Sequence, residues 1–84
     1  MAAAVEPGAI QELSDARSRD LQRVQRALRR LARLERSAAV ARPQDDGGLQ
    51  AYARRCTAGL LVAQAELQRQ LQLFAALLYL ANVL

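Results

Sequence analysis

Five arginines, Arg19, Arg23, Arg26, Arg30 and Arg33, follow one another at steps of four, three, four and three. At 3.6 residues per turn, that spacing gathers all five on one face of a helix. Arg29 and Arg36 fall on its flank. Guanidinium groups grip phosphate and carboxylate oxygens in a bidentate fork, so a strip of this kind suits an anionic partner. Three partners fit that chemistry: an acidic protein surface, an anionic membrane and a nucleic-acid backbone. No aromatic residue stands among the arginines to stack on bases, and no nucleic-acid motif appears, which places nucleic acid last. The plain alternative is a solvated helix face. All twelve basic residues are arginine, and the chain is rich in alanine. That composition favours a GC-rich coding sequence over selection for anion binding.

Other chemistry is sparse. The chain has no histidine, which removes the commonest general base and the commonest metal ligand. A single cysteine, Cys56, excludes an internal disulfide and any multi-cysteine metal site. Asp45 and Asp46 are adjacent acids without further ligands nearby and suit a solvated turn. No nucleophile–base pair, metal set or phosphate loop can be assembled, so the sequence predicts a non-enzymatic protein with no cofactor.

The elements that carry these residues are helical. Ala, Leu, Arg and Gln dominate, and β-branched residues are few. Apolar residues recur at helical spacing in Ile10, Leu13, Leu21, Val24, Leu28, Leu31, Leu34 and Ala38, with one gap of eight. A second stripe runs through Leu49, Ala53, Cys56, Leu60, Ala63, Leu67, Leu71, Phe74, Leu78 and Ala81. Between them lies RPQDDGG, residues 42–48, where Pro43 forbids helix continuation and two glycines permit a turn. Asp45 or Asp46 could cap the helix that follows. The sequence therefore predicts a disordered N-terminus over 1–8, a helix over 9–41, a loop over 42–48 and a helix over 49–84. Pro7 suits a position at or just before the first turn. Gly59 falls inside the second helix, where a close helix contact would account for it.

A short loop makes the helices antiparallel neighbours. Facing residues then have numbers that sum to about 91: Leu31 with Leu60, Leu28 with Ala63, Val24 with Leu67, Ile10 with Ala81. The expected fold is all-α, an antiparallel two-helix hairpin with coiled-coil-like packing. Arg17 falls opposite Phe74, Asp20 flanks the seam and Glu35 interrupts it. Such residues either set register or are turned outside by a slight rotation. Cys56 is expected in the seam near Leu34, and Tyr52 and Tyr79 as packing residues with wet hydroxyls.

The second helix has more apolar surface than one partner can cover. Leu73, Leu77, Leu80 and Leu84 form a stripe roughly 100–160° from the seam, with Tyr79 and Leu61 on the opposite flank. These residues predict a helical partner, supplied by a second copy or by another subunit, that completes a larger bundle. The hairpin would then serve as a scaffold-like interaction subunit of a multiprotein complex. A spanning helix is disfavoured: residues 71–84 cover about 21 Å against a hydrocarbon core of ~30 Å, and Glu66 and Arg69 precede them. A peripheral membrane-binding helix is the second expectation, since the first helix is basic and amphipathic. The N-terminus has no basic segment ahead of an apolar run, which predicts the cytoplasm or nucleus.

Overall fold

A computed structural model describes residues 6–41 and 48–83. It consists of two α-helices, α1 (Pro7–Ala41) and α2 (Leu49–Val83), packed along their length as a hairpin. Each has 35 residues, or about 52 Å at ~1.5 Å per residue. The molecule is a rod of 64 × 17 × 15 Å. Its radius of gyration is 18.8 Å, where a compact domain of this length would have about 12 Å.

α1 begins two residues earlier than the sequence suggests. Pro7 and Gly8 are helical, and the Glu6 carbonyl accepts hydrogen bonds from the amides of Ala9 and Ile10 at 3.0 and 3.2 Å. Pro7 costs nothing there, because the first amides of a helix have no partner within it. Of the rest of the expected disordered segment, Glu6 is ordered ahead of the helix and residues 1–5 lie outside the described residues, as do Arg42–Gly47 and Leu84. The capping expected of Asp45 or Asp46 falls among them. In the described part, the Gly48 carbonyl accepts from the Tyr52 amide at 3.1 Å and opens α2.

The seam of α1 differs from the stripe expected. Ile10, Ser14, Arg17, Leu21, Val24, Leu28, Leu31 and Glu35 are the buried or half-buried residues that alternate in steps of four and three without interruption. Ser14 and Arg17 fill the gap of eight. Leu13 and Leu34 stand one position away, about 100° round the helix, and are exposed. A constant four–three rhythm is what keeps one helix facing another over many turns, so it prevails over the individual preference of two leucines. The seam of α2 runs through Ala53, Cys56, Leu60, Ala63, Leu67, Leu71, Phe74, Leu78 and Ala81, whereas Leu49, expected to open it, is the first residue of the helix and is exposed. Its steps alternate in the same way except at Ala63–Leu67–Leu71, where two steps of four follow one another. A coiled coil locally unwinds at such a shift.

Two helices can bury little. Among the described residues only Ile10 and Ala53 are buried, at 4% and 0% exposure. They sit near opposite ends of the rod, and the seam between them is half-buried. Its two charged residues, Arg17 and Glu35, are both paired. Arg17 Nη1 lies 3.3 Å from Asp20 Oδ2, within α1. Glu35 Oε1 accepts from Arg54 Nε at 2.8 Å, an ion pair that crosses from α1 to α2 next to the loop. Glu35 is therefore a cross-helix contact and not a residue turned outside.

Candidate functional site

The apolar surplus lies on the surface. Leu73, Leu77 and Leu80 are 57%, 37% and 49% exposed, and Tyr79, Leu61, Val62 and Val83 are exposed as well. Leu84, the last residue of the expected stripe, lies outside the described residues. Tyr52 and Tyr79 are more exposed than packing residues, at 57% and 67%.

A second feature has no counterpart in the hydrophobic pattern. Beside the seam, nearer the loop, an open groove is lined by Ala27, Arg30 and Leu31 of α1 and Tyr52, Cys56, Gly59 and Leu60 of α2. Its walls are almost wholly apolar. Small residues create it, since Ala27 and Gly59 project nothing into the space that larger side chains would fill. Gly59 is exposed, and a Cβ built on it would meet nothing within 4 Å. The close helix contact expected at Gly59 is thus absent. The available signal was two small residues on adjoining flanks of an antiparallel register.

The groove also shows how the flanks of the two helices combine. Residues seven apart share a coiled-coil flank. Leu13 and Leu34 lie fourteen and seven positions from Ala27 on the unbroken rhythm of α1, and on α2, at about 100° per residue, Leu73 and Leu80 fall within about 60° of Gly59. These exposed leucines of both helices therefore belong to the groove side of the hairpin. Between its apolar ends that side is polar, with Asp20 and Arg23 on α1 and Glu66 on α2. Arg23 Nη1 lies 3.2 Å from Asp20 Oδ1, and Arg69 pairs with Glu66, which also accepts from Gln70 Nε2 at 3.3 Å.

The arginine strip lies on the surface of α1. Arg19, Arg23, Arg26, Arg30 and Arg33 are all exposed on α1, with Arg29 and Arg36 beside them. Only Arg23 of these forms an ion pair with another described residue. Arg23, Arg26 and Arg30 surround a cleft based on Ala27, and Arg29, Arg33 and Arg36 surround another based on Ala32. Guanidinium groups a few residues apart repel one another and raise the local affinity for anions. Cys56 is a free, half-buried thiol on the groove wall.

No protein-family model, curated protein or solved structure matches this chain. Among the described residues, no helix is long and apolar enough to cross a membrane.

Proposed function

We propose that the protein is a non-enzymatic helical-hairpin subunit of a multiprotein complex, and that it binds a helical partner through the C-terminal half of α2. The observation that carries this reading is the exposure of Leu73, Leu77 and Leu80 on a helix whose other face already occupies the seam. A contiguous apolar surface of this kind costs solubility unless another chain covers it. The slender fold supports the same reading. With two buried residues among those described, the hairpin gains little from its own seam, and a third and fourth helix would supply the missing core. The partner helix would come from a second copy or from a different subunit.

The test is Leu77→Asp together with Leu80→Asp. Both positions are exposed, so the variant keeps the helicity of the hairpin. Sedimentation of the purified protein, alone and co-expressed with its captured partner, should show the wild type in a complex and the double variant as a monomer. Unchanged assembly in the double variant would refute the reading.

A further inference from the structure

The loop-proximal groove and the arginine strip are continuous, because Ala27 and Arg30 line both the apolar groove and the cleft between Arg23, Arg26 and Arg30. We infer that this composite is a docking site for an acidic amphipathic helix from a partner protein. A large apolar side chain of that helix fills the space beside Ala27 and Gly59, and its flanking Asp or Glu residues pair with Arg23, Arg26 and Arg30.

Three observations select this occupant. The groove presents about 590 Å³ of open space between apolar walls, enough for a bulky side chain and unsuited to a polar one. Helices present apolar anchors to such grooves at steps of three and four, which is also the spacing of the arginines beside it. Arg26 and Arg30 have no carboxylate partner among the described residues, so a partner's acids would displace only water. A second copy of this chain fits less well. It carries nine arginines against two acids between Arg17 and Arg42, and would oppose the strip with like charge. Nucleic acid satisfies the arginines but leaves the apolar groove empty, since its walls offer almost no polar atoms to a base edge.

This site is distinct from the leucine stripe near Leu77, and the two can be tested separately. The probes are two synthetic peptides of about twenty residues, long enough to be helical. One carries leucines at helical spacing flanked by glutamates, and the other has lysine in place of every glutamate. Isotope-labelled full-length protein is titrated with each and followed by amide NMR, with helicity monitored by circular dichroism. The glutamate peptide should shift Ala27, Leu31, Cys56 and Gly59, and should bind at least tenfold more tightly than the lysine peptide. Its affinity should fall as salt rises and drop about tenfold or more in Arg26→Glu/Arg30→Glu. Gly59→Leu, which fills the groove without reversing charge, should weaken it while the arginines remain. Leu77→Asp/Leu80→Asp should leave it unchanged. The inference is overturned if neither peptide binds, if both bind equally, or if the shifts gather at Leu73, Leu77 and Leu80. It is also overturned if the protein self-associates through the groove, or if a DNA duplex binds the strip more tightly than the glutamate peptide does.

Discussion

Replacing Gly59 with alanine should stabilise the hairpin. Gly59 lies eleven residues into α2, with helix on both sides, and no residue approaches the space where its Cβ would stand. Its backbone is helical, and no glycine among the described residues has positive φ. Alanine therefore meets neither a clash nor a conformational penalty. Glycine in a helix interior costs ~0.8–1.0 kcal/mol relative to alanine, mostly as backbone entropy lost on folding. The new methyl group is exposed and adds little burial, so the expected gain is about 1 kcal/mol. For a chain of this size that raises Tm by roughly 4–8 °C. Thermal unfolding followed by circular dichroism at 222 nm, an assay of helix content, reads this directly. Gly8→Ala is the companion measurement. Gly8 is equally open but lies in the first turn of α1, where fraying shares the cost, so its gain should be smaller. A lower Tm for Gly59→Ala would refute the reasoning, because it would require an atom packed against Gly59 in solution.

Other perturbations separate the parts of the rod. A double-mutant cycle with Glu35→Ala and Arg54→Ala should give a coupling of ~0.2–1 kcal/mol, measured by urea unfolding and reduced in high salt, since Arg54 is exposed and Glu35 only half-buried. Arg17→Leu should raise stability by about 1 kcal/mol, read in the same assay. The half-exposed Arg17–Asp20 pair contributes little, and leucine at that position would extend the apolar part of the seam at the register position of Phe74. Ile10→Ala should cost ~2–5 kcal/mol, or abolish folding, while Leu13→Ala, three residues along and exposed, should change stability by less than about 0.5 kcal/mol. Equal losses at the two positions would place Leu13 in the seam.

The hairpin was legible because each of its signals has a local cause. In the sequence, Pro43 and the glycine pair signal the end of one helix, the three–four spacing signals another, and a short connection predicts antiparallel neighbours. The exposure of Leu73, Leu77 and Leu80 also followed from the sequence, by simple comparison of how many apolar positions one neighbour can cover. What failed was the assignment of Leu13 and Leu34 within α1, and of Leu49 at the start of α2. Hydrophobicity ranks residues one at a time, whereas the seam is chosen by the rhythm of a whole helix, which admits Ser14, Arg17 and Glu35 and excludes two leucines. The groove was missed for a related reason. It is made by what Ala27 and Gly59 lack, and an absent side chain leaves no mark on a hydrophobic pattern.

The antiparallel arrangement also orders events in time. Glu35 and Arg54 are 19 positions apart, whereas Ile10 must meet a residue near Ala81, about 71 positions away. Each doubling of a closed segment adds only ~0.6 kcal/mol of chain entropy. The far end therefore costs little more than about 1 kcal/mol beyond the near one if closed directly, and less if contacts accumulate from the loop outward. The hairpin is built to zip from the loop toward Ile10, with every step local to the one before it, which is the topology of a fast folder. Unzipping runs in reverse and starts at the end that carries Leu77 and Leu80. Amide exchange in α2 should accordingly quicken from Ala53 toward Val83, and a partner seated on those leucines would act first as a latch on the end that opens most readily.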